Sequence, residues 1–328
     1  MIDRRGLLLG LAAVGTTAAA QTPPPRTDGK RVGGLGEPGE TIDLWPRGAP
    51  GAPRTLPVEV VDERSKDADL TDRAVHGISR PRMVVFRPAV PNGAAVLVTP
   101  GGGYRWVVID KEGYEIARWL SARGFTVFVL FYRLPGEGWA AGPDVALSDA
   151  QRAMRIIRHR AREWGVMPDR VAAMGFSAGG HVCADLATRF DAATYQPVDD
   201  ADRLSARPDL AAPIYAVQSM TPPLAHPGSR ALLLGRDPSS ATERAHSPAT
   251  NVTKRTPPCF LVHAEDDAVV PVGNTLEFRA ALTSAGVPVE THLFTHGGHG
   301  FGLRRAMGKP AAVWPDLFLA WARSFGFI

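Results

Sequence analysis

Residues 172–183 read AAMGFSAGGHVC. An apolar run, Arg170–Gly175, leads into Gly175-Phe176-Ser177-Ala178-Gly179, and a helical pattern follows over Gly179–Thr188. A serine that needed only solvent could sit in any loop. Glycines two residues to either side indicate a backbone that turns where a side chain would collide. Between a predicted strand and a predicted helix, G-x-S-x-G builds a strained elbow that lifts the hydroxyl clear of the sheet. The helix that follows aims its free N–H groups and positive dipole end at any developing oxyanion.

The flanking sequence repeats this alternation. Leu56–Asp62 and Met83–Arg87 read as early strands, Ala94–Pro100 (AAVLVTP) as a buried strand, Glu112–Arg123 as a helix and Phe125–Phe131 (FTVFVLF) as the next buried strand. Val145–Trp164 carries a helical period, with Ala146, Ala150, Ala153, Ile156 and Ile157 on one face. Further strands are predicted at Leu210–Val217, Pro258–Ala264 and Val289–Phe294, and helices around Asn274–Ala285 and over Ala311–Phe325. Continuous apolar strands between helices predict an α/β fold: a mainly parallel central sheet with helices on both faces. Sites in such sheets form at the carboxyl ends of the strands, so partners to Ser177 are expected on the loops leaving those ends.

A serine hydroxyl needs a base, and the base needs an orienting carboxylate. With a nucleophile elbow, the expected chain order is Ser, then Asp or Glu, then His. After the 258–264 strand comes EDDAVVP, where Asp267 is favoured over its neighbours Asp266 and Glu265. After the 289–294 strand comes THGGHGFGL, where His299, set between glycines, is favoured over His296. The alternative of a metal held by His292, His296 and His299 lacks the helical H-E-x-x-H geometry. No metal or cofactor is expected. His181 reads as a structural helix residue. Of the two oxyanion donors, one is the N–H of Ala178; the other is expected from Gly102 or Gly103 in PGGGYRW, residues 100–106.

The segments PGGGY, DKEG, YRLP, DAQRAMR, GFSAGGH, HAEDDAVVP and GGHGFGL together resemble the α/β-hydrolase superfamily. More narrowly, they resemble bacterial exported esterases related to acetylxylan esterases, over roughly residues 41–326. The resemblance implies hydrolysis of a small acyl ester on a carbohydrate. Many relatives carry His-Gly-Gly at the oxyanion loop, where this chain has Pro100 before its glycines. Tyr104, Arg105, Trp106 and Trp139 are predicted on loops near the serine, where aromatic rings could stack on a sugar or simply pack the lid. No large cap domain is evident; the polar stretch 190–208 could form only a small flap. Rival readings are a prolyl-oligopeptidase-like peptidase, a general short-chain esterase or lipase, and a carbohydrate-binding protein without catalysis.

The N-terminus, MIDRRGLLLGLAAVGTTAAAQ, carries paired arginines, a short apolar stretch and an A-x-A site. Residues 1–20 therefore read as a twin-arginine export signal, which implies a periplasmic or secreted protein. Residues 21–55 read as a Pro/Gly-rich lead-in, and residues 56–328 as the catalytic domain. At 45% hydrophobic and 21% charged residues the chain can bury a large core. Its net charge of +4 is scattered, which argues against a nucleic-acid partner. No membrane partner is expected for the mature form. Cys183 and Cys259 lie in apolar runs and read as buried thiols, with one bridge possible.

Overall fold

A computed structural model of the chain describes residues 38–328. The export signal expected at 1–20 and the start of the lead-in lie outside the described residues. The strands are β1 (Glu40–Asp43), β2 (Val60–Glu63), β3 (Arg73–His76), β4 (Arg82–Phe86), β5 (Ala95–Thr99), β6 (Val107–Val108), β7 (Thr126–Phe131), β8 (Val171–Phe176), β9 (Ala211–Ile214), β10 (Cys259–Ala264) and β11 (Val289–Phe294). The α-helices are α1 (Glu115–Ser121), α2 (Val145–His159), α3 (Ser177–Thr188), α4 (Pro227–Leu234), α5 (Ser240–Ala245), α6 (Gly273–Ser284) and α7 (Trp314–Ser324).

The main sheet runs β1-β4-β7-β5-β8-β9-β10-β11. It is parallel from β7 to β11, with β4 antiparallel to both β1 and β7. β5, β7, β8 and β10 are buried along their whole length, which explains why they read as unbroken apolar runs rather than alternating ones. β11 lies at the sheet edge and is only half-buried. Helices flank the sheet, giving the layered α/β architecture. The chain leaves β5 for β7 on one side and returns to β8 on the other, so the carboxyl ends of β5 and β8 border the crevice where such folds bind ligands. A separate small sheet, β2-β3-β6, is antiparallel.

Three expectations need correction. The 21–55 stretch is not all lead-in: Glu40–Asp43 pairs with β4, and Leu44 and Trp45 are buried. Four residues hold too little alternation to announce a strand. The helix expected over 145–164 ends at His159, and a separate turn of 3₁₀-helix follows at Ala161–Trp164. The 190–208 stretch is not a free flap. Arg152, on α2, is bonded to Asp199 and paired with Asp202, and Arg158 reaches Ser205 O. The longest connection between strands of the main sheet is that from β9 to β10, which carries α4 and α5.

Among the described residues, a guanidinium and a carboxylate are enclosed together in the core. Arg133 and Asp149 side chains are both 0% exposed. Asp149 accepts from Arg133 N, Nε and Nη2 and from Trp45 Nε1. Arg133 donates on to Pro50 O, so the pair fastens the amino-terminal segment to α2. Cys183 and Cys259 are free, buried thiols, and burial pushes Cys183 up to about 12. Asp149→Asn would leave the Arg133 guanidinium enclosed without a countercharge. Its unfolding free energy should fall by about 3–5 kcal/mol, read as a lower urea midpoint at unchanged slope.

Candidate active site

β8 delivers the chain into a turn with almost no free volume. A Cβ on Gly175 would lie 2.2 Å from Gly179 O, and one on Gly179 would lie 2.1 Å from Thr99 O. Only glycine fits either position. Between them Ser177 adopts φ 53°, the left-handed region that side chains rarely enter. Thr99 Oγ1 donates to Gly179 O at 2.8 Å, so α3 docks directly on the end of β5. The elbow predicted from sequence starts its helix at Ser177, two residues earlier than the periodicity indicated.

Ser177 Oγ lies 2.8 Å from His299 Nε2. His299 Nδ1 lies 2.7 Å from Asp267 Oδ2. A carboxylate only accepts, so Nδ1 carries the proton and the bare Nε2 accepts from the serine hydroxyl. Asp267 takes two more bonds at Oδ1, from the N–H groups of Val269 and Val270 at 2.9 Å each. His263 Nε2 donates to its Oδ2 at 3.2 Å and to Val270 O at 3.0 Å. Burial opposes the charge of Asp267, but the bonds from His263 and His299 outweigh it and hold the carboxyl well below the usual range. His263 lay in an apolar strand run and gave no sequence signal.

The competing residues have other tasks. Asp266 Oδ1 accepts from Gly297 and Gly298 N–H at 2.8 and 2.7 Å, tying down the loop that carries His299. His296 is exposed beside Asp266 at 3.5 Å, and His292 bonds Glu290 at 2.8 Å. The three histidines of the alternative metal reading thus face three different carboxylates. Gly298 and Gly300 hold φ 67° and 68° on either side of His299, which accounts for the glycines around it.

The loop expected to supply the second oxyanion donor is wound through three consecutive positive φ values: Gly102 134°, Gly103 65° and Tyr104 62°. Gly101 N–H is already bonded to Glu112 Oε2 at 3.0 Å. The N–H groups of Gly102 and Gly103 make no hydrogen bond among the described residues, and neither does that of Ala178 at the head of α3. At its far end, Tyr104 Oη lies 2.6 Å from His181 Nδ1. His181 Nε2 donates to His246 O at 2.7 Å, and burial lowers its pKa to about 4. The ring is therefore neutral with a bare Nδ1, and Tyr104 donates to it.

The four residues expected to meet substrate divide into two pairs. Tyr104 is buried by its bond to His181, and Trp139 is buried against the Arg133 guanidinium 4.8 Å away. Neither offers a stacking face. Arg105 is exposed with its guanidinium 4.5 Å over the half-buried Trp106 ring. Sequence reasoning missed α4, whose first turn lies beside the loop: a Cβ on Gly103 would be 3.9 Å from Ser229 Oγ. His226 caps that helix by accepting Ser229 N–H at Nδ1. Burial and then the neighbouring His299 disfavour its protonation, against a smaller pull from Asp267. A histidine cap before proline lacks the Ser/Asp signature that announces a helix start. Asp144, Asp185 and His246 also converge, but Arg189 bonds Asp144 at 2.8 Å and Asp185 at 3.2 Å, so a guanidinium already pairs with both carboxylates.

A family model described as BD-FAE matches residues 85–282, from the end of β4 into α6. An acetylxylan esterase of Xylanibacter ruminicola is 32% identical over 225 residues, covering 67% of this chain and 44% of that protein. Endo-1,4-beta-xylanase B of Butyrivibrio fibrisolvens is 36% identical over 208 residues, covering 62% of this chain and 32% of that protein. The chain spans less than half the length of either. Among solved structures, an acetyl ester-xyloside bifunctional hydrolase from Caldicellulosiruptor lactoaceticus is 34% identical, with a TM-score of 0.72 over 90% of this chain and 99% of that one.

The neutral His181 has a measurable consequence. The unfolded chain protonates this histidine below about pH 6.5, whereas the folded chain does so only near 4. Its contribution to stability is complete above the unfolded value and is lost as pH falls between the two. Urea titrations of wild type and His181→Gln should therefore show a stability gap at pH 7.5 that narrows by about 2–3 kcal/mol at pH 4.5.

Proposed function

The chain belongs to the BD-FAE family, and from that premise we propose that it is a serine carboxylesterase removing small acyl groups, acetyl foremost, from carbohydrates. The observation that carries the chemistry is the line Ser177 Oγ–His299–Asp267, with separations of 2.8 and 2.7 Å, set on a left-handed elbow. The acetylxylan esterase and the acetyl ester-xyloside hydrolase it resembles support acetyl as the acyl group and a xylose-based sugar as the alcohol.

In this mechanism His299 takes the Ser177 proton as Oγ attacks the ester carbon. The carbonyl oxygen becomes an oxyanion, received by the N–H of Ala178 and those of Gly102 or Gly103. His299 then hands its proton to the departing sugar oxygen, leaving an acyl-serine. Water repeats the sequence: His299 removes its proton, the hydroxide attacks the acyl carbon, and Ser177 leaves with the proton as the carboxylic acid departs. Asp267 keeps the imidazole in the one tautomer that can do this and stabilises it when protonated. The chemistry calls on no cofactor. The signal read in residues 1–20 supports work outside the cytoplasm, periplasmic or secreted. Arg105 and Trp106, beside the oxyanion loop, are the surface residues proposed to meet the sugar.

Ser177→Ala should lower turnover of acetylated xylo-oligosaccharides by at least about a thousandfold, and Asp267→Asn by roughly ten-thousandfold, with the fold unchanged by circular dichroism. Acetyl esters should be hydrolysed faster than octanoyl esters, and aminoacyl amides not at all. Full activity in Ser177→Ala would refute the triad, and a preference for the amide would favour a peptidase.

A further inference from the structure

We propose that Glu112 is a positioning residue that holds the oxyanion loop and the His299 loop in register; the proposal rests on the Ser177 reading above. Glu112 is 3% exposed, deep beneath the site, and the reaction as written gives it no part. It sits in a wide π-type turn, Asp110–Tyr114, closed by Tyr114 N–H to Ile109 O. Such turns break the regular helical ladder and often mark functional positions. The small sheet braces this one: Arg73, in β3, grips Asp110 with its backbone N–H, Nε and Nη2.

From that turn the carboxylate reaches two parts of the site directly and a third through one hydroxyl. Oε2 accepts Gly101 N–H at 3.0 Å. Oε1 accepts the hydroxyl of Tyr215 at 3.1 Å. Tyr215 Oη in turn accepts Gly302 N–H at 3.1 Å, three residues past His299. The Tyr215 ring lies edge-on to His299 at 5.4 Å between centroids. The fit around Gly101 is tight: a Cβ there would be 2.6 Å from Glu112 Oε2 and 2.9 Å from Ser177 Cβ. Both carboxylate oxygens are occupied by donors, and Lys111 Nζ lies 3.5 Å away as countercharge. Glu112 is thus committed to holding backbone rather than to moving a proton.

The oxyanion loop requires such an anchor. Three left-handed residues in succession are costly, and they persist only where the surroundings fix both ends. His181 fixes Tyr104 at one end and Glu112 fixes Gly101 at the other. With Gly101 N–H held, the next two N–H groups in the loop remain for the oxyanion. Glutamine at 112 offers one accepting oxygen where two are used, so either the loop or Tyr215 loses its bond.

The test compares Glu112→Gln and Tyr215→Phe with wild type and Ser177→Ala, measuring kcat, KM and inhibition by a trifluoromethyl ketone. That inhibitor forms a hemiketal with a reactive serine, and its oxyanion occupies the donor site. The expected result is a kcat about 10- to 100-fold lower for Glu112→Gln and about 3- to 10-fold lower for Tyr215→Phe. KM should stay within about threefold, and inhibitor affinity should weaken by the same factor as kcat. If Glu112→Gln does not fold, Tyr215→Phe decides alone. The proposal is overturned if the folded variants keep kcat within twofold of wild type while Ser177→Ala is inactive. It is overturned equally if only KM changes, or if kcat falls while inhibitor affinity does not. Activity in Ser177→Ala would instead remove the triad reading, and this proposal with it.

Discussion

A contact that leaves no room for a side chain governs the site: the backbone of Gly179 against the carbonyl of Thr99. It lets α3 begin directly on the carboxyl end of β5. The N–H of Ala178 and the glycine loop after β5 then border the same small space, with the Ser177 hydroxyl at its edge. A single methyl at 179 would drive these two elements apart. The left-handed φ at Ser177 is the backbone cost of that closeness, and the flanking buried strands hold it in place.

Three carboxylates then stabilise backbone that would not hold its shape unaided. Asp266 takes the N–H groups of Gly297 and Gly298, Asp267 those of Val269 and Val270, and Glu112 that of Gly101. Each bond is charge-assisted and so stronger than a neutral one. Asp266 and Glu112 also fix loops rich in positive φ, where glycine alone would leave too many conformations open. The loop bearing His299 is held at its start by Asp266, at its histidine by Asp267 and at its end by Tyr215. Rigidity here comes from electrostatic tethers at successive points rather than from regular secondary structure.

The sequence exposed what is periodic or positional. β5, β7, β8 and β10 announce themselves because burial on both faces demands unbroken apolar runs. Ser177, Asp267 and His299, which converge in the structure, were nameable because each follows the carboxyl end of a strand in a fixed chain order. What stayed hidden depends on partners distant in the chain. Tyr104 and Trp139 look like exposed aromatics until His181 and Arg133 are seen to bury them. Glu112 and His263 lie in ordinary helical and strand runs, and only the fold brings them to Gly101 and Asp267. β1 is too short for its alternation to register, and the helix capped by His226 starts without the usual signal.

The two cysteines carry a different consequence. Cys183 packs under the elbow, where a Cβ on Gly175 would come within 2.7 Å of its own Cβ, and Cys259 opens β10. Both are enclosed, and burial holds both thiols in the protonated form. A protonated, sealed thiol is a poor nucleophile towards oxidants and disulfides alike. Neither thiol is thus exposed to chemistry from solvent, and the two cysteines act in the described domain as small apolar packing groups.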